Sequence, residues 1–245
     1  MSVDSVLLKA ERVGRTFRLA GEEIHAVRDV SLTVRPGVFM AIVGRSGSGK
    51  TTLLNLLSGI DSPTTGRVLF EGRDLAGFGE RDMSELRRHR LGIVFQSFGL
   101  LPLLSAFENV ELPLRIAGVR AKERSARANE VLEMVGLVRR ARHRPFELSG
   151  GEQQRIAIAR AVAMRPRVLL ADEPTGELDS VNAGAIFGLF RGIAAAEGMA
   201  IVTTTHDQTL LDLADEVHEI HDGVIRPPGA DDPDGREPSG PPPAS

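Results

Sequence analysis

The residues from Gly44 to Thr51 have the types and spacing of a phosphate-binding loop, reading Gly-Arg-Ser-Gly-Ser-Gly-Lys-Thr. Glycines let backbone N–H groups turn inward around an anion, and a following helix adds free N–H groups and a positive dipole end. In such a loop Lys50 reaches the β- and γ-phosphates of a nucleotide, and the Thr51 hydroxyl binds Mg²⁺. The alternative is a glycine-rich turn without a ligand. Because the apolar run 39–43 precedes this motif and the helical pattern 52–57 follows it, we predict nucleotide binding.

Two carboxylates end a second apolar run, in which Asp172 and Glu173 follow residues 168–171. The carboxyl end of a strand in a parallel sheet lines the ligand crevice. There Asp172 would face Mg²⁺ through water, and Glu173 would polarise the water that attacks in phosphoryl transfer. The alternative is a strand that ends in a solvated acidic turn. The preceding phosphate loop favours the catalytic interpretation.

Ser149 and Glu152 have the S-x-x-E spacing of a capping box before the helical run 153–164. A capping box alone means only that two backbone donors of a helix are satisfied. Gly150 and Gly151 occupy the first helical positions, where each glycine costs about 1 kcal/mol relative to alanine. Close approach of the backbone to an anion would explain them.

Two more polar residues end predicted strands, since Gln96 follows the run 91–95 and His206 follows the run 200–205. A single histidine is more often structural than a ligand contact, and Gln96 alone carries no argument. Their importance depends on the motifs around them.

Two other groups of residues are set aside. His218 and His221 lie three apart on a predicted strand, so they point to opposite faces and do not form a metal site. A basic cluster precedes Ser149, and we interpret it as a solvated face, with contact to lipid headgroups or a permease as the alternative. Its members are Arg139, Arg140, Arg142 and Arg144.

Composition is that of a globular protein: the 245 residues are 42% hydrophobic and 26% charged. Cysteine is absent, which excludes disulfides and thiolate metal sites and suits a reducing cytosol. No run of about 18 apolar residues occurs, and the N-terminal residues lack the pattern of a secretory signal. We therefore expect another chain to supply any membrane span.

The net charge of −3 is carried by residues 230–245, where four acidic residues face one arginine. The rest of the chain is neutral, which gives no case for nucleic-acid binding. Pro, Gly, Asp and Ser dominate these last residues, so we predict a disordered tail over 230–245.

The apolar patterns predict how these motifs are positioned. Antiparallel strands are expected ahead of the phosphate loop, and strand, helix, strand over 168–205 implies a parallel sheet with right-handed crossovers. Asp222-Gly223 is typical of a hairpin turn. Further elements are expected at 6–8 and 26–34 (strands), 68–72 (hairpin), 91–95 (strand) and 105–163 (helices).

In this order the motifs resemble those of ABC-type ATPases over roughly residues 5–226. The correspondence comprises the Walker A loop (44–51), the Q-loop (Gln96), the signature motif (148–152), the Walker B strand (168–173), the D-loop (176–179) and the switch histidine (His206). The resemblance implies an α/β P-loop NTPase fold with a parallel core sheet, an N-terminal antiparallel β subdomain and an inserted α-helical subdomain. The implied boundaries are 1–96 and 161–229 for the core and about 97–160 for the helical subdomain.

The resemblance also implies a head-to-tail homodimer that encloses two ATP molecules. Each ATP would lie between the Walker A loop of one chain and Ser149, Gly150 and Gly151 of the other. Glu173 is then the general base, His206 contacts the γ-phosphate, and Asp179 helps to couple the two sites. The implied ATP contacts are Phe17, Gly44, Arg45, Ser46, Gly47, Ser48, Gly49, Lys50, Thr51, Thr52, Gln96, Ser149, Gly150, Gly151, Glu152 and Asp179, and the implied Mg²⁺ ligands are Thr51, Gln96 and Asp172.

The chain departs from the family pattern at three positions. It has no Tyr or Trp, so Phe17 is the candidate to stack on adenine, as a phenyl face can. Glu152 stands where Gln is common, and a carboxylate is acceptable at a helix N-terminus. Glu177 stands in the D-loop where a neutral residue is usual.

Segments around these motifs are similar to the lipoprotein-release and macrolide-export group of ABC ATPases. That similarity implies a separate transmembrane permease with a large extracytoplasmic domain, and a peripheral location at the cytoplasmic face of the plasma membrane. The expected function is to power export or lipoprotein extraction. The alternatives are a regulatory ATPase of the cell-division type and a soluble DNA-repair or translation ATPase, although this chain lacks the long coiled coil or second cassette of the latter.

Overall fold

The computed structural model describes residues 6–19, 21–206 and 208–226. The predicted tail, 230–245, lies outside the described residues. The strands are β1 (Leu8–Leu19), β2 (Glu22–Val34), β3 (Phe39–Val43), β4 (Thr65–Phe70), β5 (Arg73–Asp74), β6 (Leu91–Val94), β7 (Val168–Ala171), β8 (Ala200–Thr205), β9 (Glu216–His221) and β10 (Val224–Arg226). The helices are α1 (Lys50–Leu57), α2 (Glu80–His89), α3 (Ala106–Ile116), α4 (Ala121–Met134), α5 (Gly150–Val162) and α6 (Ser180–Glu197).

Two sheets organise these elements. The larger has the order β10-β9-β3-β8-β7-β6, in which β3 and β6 to β9 are parallel and β10 pairs antiparallel with β9. The smaller, with order β2-β1-β4-β5, is antiparallel. The predicted parallel core, N-terminal antiparallel strands and hairpin at Asp222-Gly223 are therefore confirmed.

Strand β3 separates two hydrophobic cores, because successive side chains of a strand point to opposite faces. Phe39 packs against Phe187 and Phe190 of α6, with ring centroids 5.6 and 6.0 Å away. Met40 and Ile42 face the other core, shared with α1 and the antiparallel sheet. The strand that leads into the phosphate loop is thus covered on both sides.

Helices α3 to α5 form the block that carries the signature motif. The buried guanidinium of Arg127 on α4 donates to the carbonyls of Val162 and Ala163 at the end of α5, over 3.0 and 3.1 Å. It also pairs with Glu197 of α6 at 2.9 Å. A cation at a helix C-terminus is favourable, so Arg127 fixes α5 to its neighbours. Among the helices of the described ranges, none is both long and apolar enough to cross a membrane.

Candidate functional site

The phosphate loop joins the end of β3 to the start of α1. Gly49, with φ of 105°, is the residue before the helix, and a Cβ there would lie only 2.2 Å from the Ala26 carbonyl oxygen. Ala26 is the residue that the β1–β2 register skips between His25 and Val27. The irregularity in β2 therefore places the Ala26 carbonyl against the loop, and only glycine fits at position 49.

The loop offers an anion several donors. Helix α1 begins at Lys50 without a side-chain cap and without an acidic residue in its first turn, which leaves N–H groups and the positive dipole end free for an anion. The Lys50 ammonium is buried and donates to the carbonyls of Gly44 and Arg45 over 2.7 and 2.9 Å. Within the described part of the chain, the buried Ser48 hydroxyl has no hydrogen-bond partner. These features fit a bound phosphate.

The predicted catalytic side chains come together beside Lys50. Glu173, directly after β7, places Oε1 3.0 Å from the Lys50 Nζ and Oε2 3.3 Å from the His206 Nδ1. Glu173 is mostly buried, with 18% of its side chain exposed, whereas 60% of the His206 side chain is exposed. One carboxylate thus links the lysine predicted to bind phosphate to the predicted switch histidine.

Thr204 on β8 is part of the site and was missed by the sequence analysis. Its hydroxyl donates to Asp172 Oδ1 over 2.7 Å and accepts the backbone N–H of Glu173 over 2.8 Å. Glu173 has a left-handed backbone conformation, with φ of 40°, which is uncommon for a residue with a side chain. The run of three hydroxyl residues on a buried strand, 203–205, was the available signal.

Gln96 lies at the same edge, as predicted. A Cβ built on Gly176 would lie 3.5 Å from both the Gln96 Nε2 and the Glu173 Oε2. The Gly176 N–H also donates to the Glu173 carbonyl over 3.0 Å. The Q-loop and the D-loop therefore both approach the carboxylate of Glu173.

The predicted Mg²⁺ ligands offer suitable chemistry. Thr51, Gln96 and Asp172 supply hydroxyl, amide and carboxylate oxygens, the donors that Mg²⁺ prefers. The described residues contain no cluster of three His, Cys, Asp or Glu that could hold a metal by itself. Mg²⁺ is usually bound by one or two carboxylates together with waters and substrate phosphates, so this donor set fits.

The signature motif begins α5 with the predicted capping box. Ser149 accepts the Glu152 N–H over 3.3 Å, and the Glu152 carboxylate accepts the Ser149 N–H over 2.9 Å. Arg140 donates to the same carboxylate over 2.9 Å. These bonds, chiefly the Ser149 N–H, hold the pKa of Glu152 below its ordinary value although partial burial opposes them. Glu152 is therefore an anchored cap, and Arg140 is a partner that the sequence analysis assigned to a solvated face.

The two signature glycines have different surroundings. A Cβ on Gly151 would lie 2.9 Å from the Asn182 Oδ1, so a larger residue there would displace the Asn182 side chain. A Cβ on Gly150 would make ordinary contacts, 3.6 Å from Leu178 and 3.7 Å from Phe98. Packing within the chain therefore gives no reason for glycine at position 150, where close approach of an anion would.

Asp179 of the D-loop caps α6. Its carboxylate accepts the backbone N–H of Asn182 over 2.9 Å and the side-chain amide over 2.8 Å. The backbone bond is the larger cause that lowers the pKa of Asp179. Because Asn182 also contacts Gly151, the D-loop and the signature motif are neighbours in one chain.

Phe17 lies on β1 and pairs with Ile24 of β2. This pair is two residues along β2 from Ala26, where the register is irregular. The Arg15 guanidinium lies over its ring, 4.6 Å from the centroid. Asp61 holds that guanidinium through two contacts of 2.8 Å. One face of Phe17 is therefore supported by an anchored cation, a contact that the sequence analysis did not anticipate.

The structure does not bring all the predicted ATP contacts together within one chain. The phosphate loop has Ala26, Ile220 and Glu173 as neighbours, while the signature motif packs on the D-loop. Among the described residues, no hydrogen bond or ion pair joins residues 148–152 to residues 44–52.

The family model described as ABC transporter matches residues 27–176. The chain belongs to the ABC transporter family. It is 45% identical to the ABC transporter ATP-binding protein YtrE of Bacillus subtilis (strain 168), over 83% of this chain and 88% of YtrE. It is 44% identical to the macrolide export ATP-binding/permease protein MacB of Azoarcus sp. (strain BH72), over 95% of this chain but 35% of MacB.

Solved structures of ABC cassettes are similar to this chain as well. The dimeric bacterial ABC transporter cassette MJ0796 has a TM-score of 0.83 and 39% identity, covering 89% of this chain and 96% of the other. A dimer of the same cassette bound to ADP and Pi has a TM-score of 0.82 over the same shares. The predicted family and fold are therefore confirmed, including the likeness to a macrolide exporter.

Proposed function

We propose that this ABC ATPase binds and hydrolyses ATP to power export or lipoprotein extraction through a separate transmembrane permease. The observation that carries the proposal is the convergence of Lys50, Glu173 and His206 within 3.3 Å contacts at the start of α1. Phosphoryl transfer depends on positioning and charge compensation, and this convergence brings a cation, a carboxylate and a histidine to the point where the phosphate would bind.

In the proposed mechanism the phosphate loop and Lys50 bind the phosphates of ATP, and the Phe17 ring stacks on adenine. Glu173 accepts a proton from the attacking water. Its position after β7 places the carboxylate within reach of that water. His206 contacts the γ-phosphate. Thr51, Gln96 and Asp172 would hold Mg²⁺, which neutralises negative charge on the phosphate oxygens when bound.

The site is completed by a second copy of the chain. The first turn of α5, at Gly150 and Gly151, offers helix N–H groups to an anion. Among the described residues, no hydrogen bond or ion pair joins this turn to the phosphate loop of the same chain, which supports binding across a dimer. The dimeric form of the similar cassette supports the same proposal. ATP then acts as a bridge between two chains.

A permease partner is supported by a relative whose name combines an ATP-binding part with a permease. The MacB name joins an ATP-binding part and a permease, and this chain matches 35% of that length. We therefore place the protein at the cytoplasmic face of the plasma membrane, bound through a permease with a large extracytoplasmic domain, with no role for nucleic acid. The alternative is a regulatory ATPase of the cell-division type, which would signal through its permease without transport.

The test is purification of the tagged chain from detergent-solubilised membranes. We expect co-purification of a membrane protein with few spanning segments and a large extracytoplasmic part. A chain recovered only from the soluble fraction, without such a partner, would refute the permease proposal. A partner whose activity is control of cell-wall hydrolysis would favour the regulatory alternative.

A further inference from the structure

The Thr204 hydroxyl contacts both acidic residues of the Walker B segment. It donates its single proton to Asp172 Oδ1 over 2.7 Å and accepts the Glu173 N–H over 2.8 Å. Thr204 is completely buried. One hydroxyl therefore fixes the side chain of the predicted Mg²⁺ residue and the backbone of the predicted base.

The position of this hydroxyl follows from the sheet. Pairing of β7 with β8 ends at Ala171 and Thr203, and Asp172 turns its N–H to the Val94 carbonyl on β6, over 2.9 Å. The Glu173 N–H, one residue further, is bonded by the Thr204 side chain instead of a strand carbonyl. The Thr204 side chain thus links β8 to the chain after β7, beyond the last backbone pair of the two strands.

The backbone of Glu173 makes this bond important. With φ of 40° the residue is in a sparsely populated conformation, which persists only where surrounding contacts determine it. That conformation places the carboxylate between Lys50 and His206. A buried N–H without an acceptor is unfavourable, so loss of the hydroxyl would favour a different backbone at Glu173.

We propose that Thr204 is a positioning residue for hydrolysis, orienting Asp172 toward the metal and Glu173 toward the attacking water through one hydroxyl. The inference rests on the proposed ATPase mechanism and deepens it. Thr204 does not contact the phosphate loop in these bonds, so it acts on the chemical step and on Mg²⁺ rather than on ATP binding.

The test uses the full-length chain with three substitutions. Thr204→Val keeps the shape and removes the hydroxyl, and Thr204→Ser keeps the hydroxyl. Thr203→Val is the matched control, because Thr203 is equally buried and its hydroxyl donates to the Ala171 carbonyl over 3.2 Å. The measurements are kcat, KM for ATP, and the Mg²⁺ concentration for half-maximal activity.

We expect Thr204→Val to lower kcat about 10- to 100-fold and to raise the Mg²⁺ requirement about tenfold, the usual effect of losing a partner that orients a metal ligand. KM for ATP should change less than about twofold, since uniform binding is untouched. Thr204→Ser should restore kcat to within about threefold, and Thr203→Val should match the wild type.

Wild-type kcat and Mg²⁺ dependence in Thr204→Val would overturn the inference. So would an equal loss in Thr203→Val, or no rescue by Thr204→Ser, because either would assign the effect to packing. Absence of hydrolysis in the wild type would instead refute the proposed function. Should Thr204→Val fail to fold, Thr204→Ala takes its place in the same comparison.

Discussion

Replacing Glu173 by glutamine should have two opposite effects, loss of hydrolysis and tighter nucleotide binding. Loss of hydrolysis follows from the role of general base, whose removal typically lowers the rate about 10²- to 10⁴-fold. Tighter binding follows from the ion pair, because the Lys50 ammonium lies 3.0 Å from the Glu173 carboxylate. A nucleotide phosphate must compete with that carboxylate for Lys50.

The size of the second effect can be worked from the contact. Lys50 is 4% exposed and Glu173 18% exposed, so solvent screens the pair weakly. A hydrogen bond between charged groups contributes about 1.5–3 kcal/mol, and a neutral amide oxygen about 1 kcal/mol. The difference, about 0.5–2 kcal/mol, corresponds to about 2- to 30-fold tighter binding.

ADP is the suitable ligand for this measurement. It lacks the γ-phosphate over which Ser149 and Gly150 of a second copy would close, so its affinity reports the phosphate loop of one chain. Titration calorimetry of the wild type and Glu173→Gln would give the two dissociation constants. Glu133→Gln, an exposed position on α4, removes the same charge elsewhere and controls for net charge.

An ADP affinity in Glu173→Gln equal to that of the wild type would refute the reasoning about Lys50. Hydrolysis at the wild-type rate would refute the assignment of Glu173 as the base. If Glu133→Gln binds ADP as tightly as Glu173→Gln does, the tighter binding comes from the change in net charge.

Two further predictions concern adenine stacking on Phe17 and the helix cap formed by Glu152. Phe17→Ala should weaken ATP binding about 5- to 150-fold, since stacking of adenine on an aromatic ring contributes about 1–3 kcal/mol, while Phe17→Tyr should keep the wild-type affinity. Equal affinities of all three proteins in a fluorescent-nucleotide titration would exclude stacking. Glu152 has a lowered pKa when folded, so it contributes stability above the ordinary glutamate pKa of about 4.3, and this is lost as pH falls toward the lower folded value. Urea unfolding should therefore show a smaller loss of stability between about pH 5 and 3 in Glu152→Gln than in the wild type; parallel curves would contradict the cap.

The motifs and most of the elements could be predicted because their signals are local. A phosphate loop is defined by consecutive residues, and the strands before Lys50, Gln96 and Glu173 are short apolar runs. The capping box at Ser149 was read correctly for the same reason.

The contacts between distant segments could not be predicted. Thr204 reaches Asp172 only because β7 and β8 are paired in a particular register, and no pattern within either strand sets that register. In the same way, the close approach at Gly151 depends on Asn182, a side chain on another helix. Local chemistry predicts which residues form the site, and tertiary packing decides how they are oriented.

The dimeric site is tested most directly by mixing two inactive variants. Lys50→Ala removes phosphate binding, and Ser149→Arg blocks the signature motif. In a mixed dimer one site carries both defects and the other carries neither. If each site is built from two chains, an equal mixture should therefore regain about a quarter of the wild-type ATPase activity, because about half of the dimers are mixed and each has one intact site. With sites that act independently, a mixture as inactive as its components would contradict the account.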